Sequence, residues 1–421
     1  MQGQDLQRLK GKGILTTCCC TALLGGLSSS YGQAIIETNP HGRDVLVLPT
    51  FHTEEEAVVE ERGDNILRYG PWSIFPRVRA SVIYDDNIYI QPNNKQEDVV
   101  WTLSPGIVLG AGDFRQREGS SVLIDYAPTF DIFTLKSRNN AIDHDGHLRA
   151  EWRPGKWRLT LEQLYQNYSG PVLDVGTRVN RSIYTTAVSF IYELSPKTSL
   201  ELNGTQLITA YDSARSFNEW TVGAFADYGI TPKIKIGAGI NAGFLDVQDA
   251  VNQKYQQGLV RAVYSATEKV DFRGSAGVEI REFQSGQGDR LNGVFSIGGS
   301  YKPLQFTEVL LDAYRRDQNS IVLTDQNYTT TGFALGVRQA FLVNYAASLT
   351  GGFDHLTYHP TDPTVTATRK DDYFFARAAV DWRARDRLTA GISYLYRKNN
   401  SSTGVFSFDN HQIGLNLAYQ F

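Results

Sequence analysis

The last residues of the chain alternate without exception. Ile413, Leu415, Leu417, Tyr419 and Phe421 take turns with Gln412, Gly414, Asn416, Ala418 and Gln420. A period of two puts one set on each face of an extended strand, so this segment is greasy on one side and polar on the other. The pattern recurs upstream. Ile234, Ile236, Ala238, Ile240, Ala242 and Phe244 oppose Lys235, Gly237, Gly239, Asn241 and Gly243, and Val270, Phe272, Gly274, Ala276, Val278 and Ile280 oppose Asp271, Arg273, Ser275, Gly277, Glu279 and Arg281. A face charged that regularly cannot fill the dry core of a sandwich. It suits a sheet closed into a barrel, with lipid outside and water inside.

Counting such segments from Ser73 to Phe421 predicts an all-β, up-and-down antiparallel transmembrane barrel of about 18 strands, each about 12–16 residues long. An even count leaves both chain ends on one side of the membrane. The connections divide accordingly. Tight, turn-forming links include Arg153-Pro154-Gly155-Lys156, Ser195-Pro196-Lys197, Thr231-Pro232-Lys233 and Lys302-Pro303-Leu304, which read as periplasmic turns, with the link 111–118 an exception that is long for that side. Longer polar links such as 85–97, 169–179, 317–325, 359–370 and 399–407 read as extracellular loops. None is much over about 13 residues, which argues against a constriction loop of the usual porin kind.

The N-terminus fixes the compartment. Arg8, Lys10 and Lys12 precede an apolar stretch from Ile14 to Leu27, followed by small and polar residues up to Gly32-Gln33-Ala34. This order reads as a signal peptide over 1–34, too short in its apolar part for a comfortable transmembrane helix. All three cysteines, Cys18, Cys19 and Cys20, fall within it. The mature chain is therefore expected to have no thiol, disulfide or metal thiolate. Residues 35–72 show no sustained period and carry the acidic runs Glu54-Glu55-Glu56 and Glu60-Glu61. They read as a periplasmic extension, either a solvated linker or a segment folded into the barrel mouth, ahead of a barrel over 73–421. A mean hydropathy of −0.30 excludes a bundle of membrane helices but is what alternating strands produce. A net charge of −4 gives no basic face for nucleic acid.

Chemistry-bearing motifs are sparse. His144 and His147 are an odd number of positions apart, so an extended strand puts them on opposite faces and no shared metal is expected. Asp85-Asp86-Asn87 could meet a divalent cation or lipopolysaccharide, but reads first as a turn. Gly237, Gly239 and Gly243 are not followed by a strand-to-helix switch, so they read as places where a neighbouring side chain or a substrate approaches the wall rather than a dinucleotide fingerprint. With histidines only at His41, His52, His144, His147, His355, His359 and His411, no nucleophile, base and orienter come together. No catalytic residue, cofactor or metal is expected, and the chain reads as a non-enzyme.

Parity assigns the lumen. Arg77, Arg79, Arg149, Glu151, Arg158, Glu162, Lys235, Arg273, Glu279, Arg281, Arg338, Arg377 and Asp381 share the polar face of their strands and are the expected pore-lining residues, with a mixed-charge, hydrated interior. Trp101, Trp152, Trp157, Tyr184, Tyr192, Trp220, Tyr228, Tyr301, Trp382, Tyr394 and Tyr419 lie near strand ends, mostly on the apolar parity, as an aromatic girdle would.

The first strand, Arg79-Ala80-Ser81-Val82-Ile83-Tyr84-Asp85-Asp86-Asn87-Ile88-Tyr89, resembles the Tyr-Asp-x-Asn-Ile-aromatic opening of the β-barrel porins often encoded with exopolysaccharide loci in Gram-negative bacteria. The resemblance covers about Trp72 to Phe421. It implies a cell outer-membrane channel that helps an exopolysaccharide or related carbohydrate leave the cell, with periplasmic polysaccharide export proteins as partners. The ending at Leu417, Tyr419 and Phe421 resembles the signal read by the outer-membrane barrel assembly machinery. Two other readings stand beside export: a general or nutrient-uptake porin, and a structural or adhesive barrel with a closed lumen.

Overall fold

The alternating segments form eighteen long antiparallel strands, preceded by one short one. The structure is a computed structural model that describes residues 67–112, 114, 119–267, 269–367, 369–384 and 387–421. The expected signal peptide and nearly all of the extension lie outside the described residues. In chain order the strands are β1 (Leu67–Tyr69), β2 (Trp72–Asp85), β3 (Asp98–Gly112), β4 (Ser121–Phe133), β5 (Ala141–Trp152), β6 (Trp157–Val172), β7 (Thr177–Ser195), β8 (Thr198–Tyr211), β9 (Phe217–Thr231), β10 (Ile234–Val247), β11 (Gln253–Thr267), β12 (Val270–Phe283), β13 (Arg290–Leu304), β14 (Thr307–Asn319), β15 (Gln326–Phe341), β16 (Tyr345–Pro360), β17 (Lys370–Ala384), β18 (Leu388–Ser401) and β19 (Phe408–Gln420).

Each strand from β2 onward pairs with the next, and β19 returns to β2 from Gln412 opposite Asp85 to Gln420 opposite Arg77. The sheet therefore has no free edge along its length. Two features differ from the sequence reading. Leu67–Tyr69, expected in the irregular extension, forms β1 and pairs with the start of β2. The expected loop 169–179 is mostly strand, because β6 runs on to Val172 and β7 begins at Thr177.

Local chemistry explains the turns. At Ser195-Pro196-Lys197 the Ser195 hydroxyl accepts the N–H groups of Lys197 and Thr198, and at Thr231-Pro232-Lys233 the Thr231 hydroxyl accepts those of Lys233 and Ile234. One recipe, a hydroxyl followed by Pro-Lys, thus makes two turns at the end that carries both barrel termini. Gly155 takes φ +63° in the Pro154-Gly155 turn, a conformation costly for any residue with a Cβ.

The Asp85-Asp86-Asn87 motif closes the barrel. Asp85 accepts hydrogen bonds from the Asn87 N–H and from the side chains of Asn410 and Gln412 on β19. Asp86 accepts the His411 N–H, and Asn87 donates to the Asp409 carbonyl. The expected turn is present, and it also stitches the first barrel strand to the last.

The apolar parity faces outward: Trp101, Leu202, Val222, Ile240, Val260 and Leu415 are each more than half exposed. Outward aromatics recur in pairs eight residues apart on single strands, as Trp157 and Tyr165, Tyr192 and Tyr184, Tyr228 and Trp220, Tyr345 and Phe353, and Trp382 and Phe374. At ~3.3 Å per residue and a tilt of about 40°, eight residues rise ~20 Å, close to the apolar band of such barrels. Neighbouring rings stack along these belts, Trp157 on Tyr192 at 4.1 Å and Tyr165 on Tyr184 at 5.0 Å.

Candidate functional site: the lumen and its outer mouth

Side chains of opposite parity line the interior, and many form ion pairs across strands. Arg77 on β2 reaches Asp125 on β4 at 2.6 Å, passing over the intervening β3. Gly106 of β3 makes this possible, since a Cβ there would come within 2.8 Å of the Arg77 side chain. Gly237 on β10 likewise underlies the pair between Asp227 on β9 and Arg261 on β11, 2.6 Å apart. Such glycines let the two flanking strands meet through their side chains. The expected role of Gly237 as a place of close approach is what the geometry shows.

Arg261 also holds Glu201 at 2.7 Å and lies over the Phe225 ring at 4.1 Å. Arg149 pairs with Glu162 at 2.5 Å, Glu151 with Arg153 at 2.5 Å, and Lys235 with Asp227 at 3.4 Å. Glu279 and Arg281 pair at 2.7 Å, and both are 2% exposed, so they are buried within the wall's own network. The other expected pore residues occupy inner-face register positions: Arg79 opposite Ser104, Arg158 opposite Ile191, Arg273 opposite Gly298, Arg338 opposite Glu308, Arg377 opposite Thr350 and Asp381 opposite Gly391. Leu417 and Phe421 are outward and about half exposed, and the Tyr419 and Phe421 rings meet edge to face at 4.9 Å. His144 bonds the outward Tyr126 hydroxyl, while His147 is 4.0 Å from the inner Glu162. The two histidines do lie on opposite faces. Among the described residues no three His, Cys, Asp or Glu side chains group as metal ligands would.

The outer mouth holds what the sequence reading missed. Connections at the loop end are short, yet several turn inward. Ile88 and Ile90 of the β2–β3 loop are buried, Ile88 against Val100 and Phe133. At the β6–β7 turn, Leu173 packs among Tyr328, Tyr358, Tyr373 and Phe375 of β15, β16 and β17, strands about halfway round the barrel from its own. Asp174 beside it accepts hydrogen bonds from the Ser320 hydroxyl, the Ile321 N–H and the Tyr358 hydroxyl, the last at 2.7 Å. Arg369 donates to the carbonyls of Leu173 and Asp174 and to the Asp371 carboxylate. It lies between the rings of Tyr358 at 4.6 Å and Phe406 at 3.5 Å. Burial opposes its charge, but Tyr358, Asp371 and Asp174 around it hold its pKa above the ordinary arginine value.

The β14–β15 tip leans in from the far side. Arg215 of the β8–β9 turn donates to the Val322 carbonyl and the Thr324 hydroxyl, and the Val251 N–H to Asp325. Loop length was therefore a poor guide to constriction: two hairpin tips meet across the mouth without any long loop. A signal was present in the apolar residues of supposed loops, Val172-Leu173 and Ile321-Val322-Leu323, since apolar side chains in a connection mark burial.

The closed eighteen-stranded sheet makes its backbone hydrogen bonds between neighbouring strands, and the outward apolar band and paired aromatic belts give it a surface for lipid, as a bilayer requires. The chain is an outer-membrane β-barrel. No family model matches the sequence, and no curated protein does. Among solved structures the chain is similar to OccAB3 of Acinetobacter baumannii, at 11% identity over 83% of this chain and 99% of that one, with a TM-score of 0.44. It is similar to OccK3 (OpdO) of Pseudomonas aeruginosa at 12% identity over 83% and 95%, with a TM-score of 0.46. The outer membrane protein OpdK of Pseudomonas aeruginosa aligns at 11% identity over 85% and 100%, with a TM-score of 0.44.

Proposed function

We propose that the protein is a passive channel for small polar solutes across the outer membrane, working as a nutrient-uptake porin with no chemistry of its own. The observation that carries this is the mouth. A charged, hydrogen-bonding inner wall suits hydrated solutes, while the meeting of Asp174 with Ser320, Tyr358 and Arg369 narrows the entrance. A polysaccharide strand needs a wide, continuous passage, so this contact favours uptake over the export reading. Export would further require that deleting the gene reduce surface polysaccharide.

The test is reconstitution. The purified barrel should conduct ions in planar bilayers, and liposomes containing it should swell in monosaccharides but not in long oligosaccharides. A barrel that neither conducts nor lets any sugar in would overturn the proposal.

A further inference from the structure

The two hairpin tips that meet over the mouth are held in different ways. The β14–β15 tip stays within the wall on one flank, because β15 pairs with β16 out to Gln326 opposite Pro360. The β6–β7 tip has no such flank. Pairing of β5 with β6 ends at His144 opposite Asn167, and pairing of β7 with β8 ends at Arg181 opposite Tyr211. From Gly170 and Val179 outward, the two strands pair only with each other. The ribbon includes Pro171, which has no N–H to give a neighbour, and it reverses through Gly176 at φ +73°.

Its attachments are also uneven. Val179 near its base and Val172 on the last rung before the turn share one cluster with Ile183, Leu207, Leu245 and Ile321 of the β14–β15 tip, contacts that are non-directional and tolerate sliding. Across the mouth it is held in two ways, by Leu173 packed among Tyr328, Tyr358, Tyr373 and Phe375 and by polar groups, the Asp174 carboxylate and the two carbonyls held by Arg369. Directional bonds of this kind exist in one position of the ribbon and are lost together in another.

We propose that residues 170–179 form a lid over the channel mouth, latched shut by Asp174 and Arg369. The lid rests on the channel reading above. With the latch made, the entrance is narrow; with it broken, the ribbon swings about its base and the mouth widens.

Single-channel recording in planar bilayers tests this on the full-length protein, with Asp174→Ala, Arg369→Ala and a double variant, Asp174→Cys with Ser320→Cys. Residues 73–421 have no cysteine, so with Cys18, Cys19 and Cys20 replaced by serine a short bifunctional methanethiosulfonate reagent bridges only the introduced pair, and dithiothreitol releases it. The latch variants should fold, as judged by heat-modifiable mobility on gels, and raise the open-state fraction about tenfold. The bridged double variant should fall to the low-conductance level and recover on reduction. Should a latch variant fail to fold, the bridged and released states of the double variant decide the matter alone. Wild-type conductance that neither latch variants nor the bridge alters would show a fixed wall and remove the lid while leaving the channel. No current from any form, latch variants included, would remove both.

Discussion

Gly332 on β15 lies beneath the hydrogen bond from the Tyr314 hydroxyl on β14 to Asp354 on β16, a bond of 2.6 Å. A Cβ at that position would stand 1.8 Å from the Asp354 carboxylate and 3.0 Å from the Tyr314 ring. No side chain fits there without breaking the bond. Gly332→Ala should therefore destabilise the folded barrel by about 1–3 kcal/mol, read as a lower temperature for loss of heat-modifiable mobility. Gly258→Ala is the control, since nothing lies within 4 Å of a Cβ there. Equal melting of both variants would mean that the wall gives way around Gly332 without cost. Part of this logic is legible in the sequence, where Gly237, Gly239 and Gly243 share the inner parity of their strand and so mark places for a neighbour or a substrate to approach. The partners are not legible there. Asp227 and Arg261 meet over Gly237 only because two hairpin registers fall as they do, and register across strands is not written in the alternation of either one.

At the scale of the strand, Phe333, Leu335 and Val337 alternate with Ala334, Gly336 and Arg338 within β15 (Gln326–Phe341), whereas no such alternation marks the β6–β7 tip as strand. Ser169-Gly170-Pro171 has the composition of a turn, but the ribbon is folded against its own lumen, where hairpin pairing and burial outweigh that preference. Prolines mark a second irregular place. The β3–β4 ladder is unbroken up to Leu103 opposite Phe130 and resumes at Ile107 opposite Tyr126, with Pro105 and Pro128 in the gap. Neither proline has an N–H to donate. Inside the barrel the Thr129 hydroxyl bonds the Ser104 hydroxyl across this gap at 3.0 Å, a side-chain substitute for the missing rungs. Amides around 103–107 and 126–130 should then exchange with deuterium about tenfold faster than those of 333–337 in β15, whose ladders to both neighbours are continuous. Equal protection in a hydrogen-exchange experiment would show that the gap is sealed by other bonds.

For the whole molecule, closure and alternation jointly assign every residue to one of three surroundings: lipid, lumen, or water beyond the belts. Both barrel termini lie at the end with the tight turns, as the closing contact from the Phe421 N–H to the Pro76 carbonyl shows, and in barrels of this kind that end faces the periplasm. Single cysteines introduced into the cysteine-free barrel turn this assignment into a measurement. Gly404→Cys, on an exposed turn at the loop end with nothing within 4 Å of its Cβ, should react with a membrane-impermeant maleimide on intact cells. Lys197→Cys, in the tight turn between β7 and β8, should react only after the outer membrane is permeabilised. Val260→Cys, outward on β11 and 62% exposed in the isolated chain, should stay unlabelled in both cases, because the acyl chains that cover it exclude a charged reagent. Reversed labelling of Gly404→Cys and Lys197→Cys would invert the barrel and put the latched mouth on the periplasmic side. A fully labelled Val260→Cys would instead mean that the outward apolar face meets water, which a membrane-spanning wall of this composition cannot do.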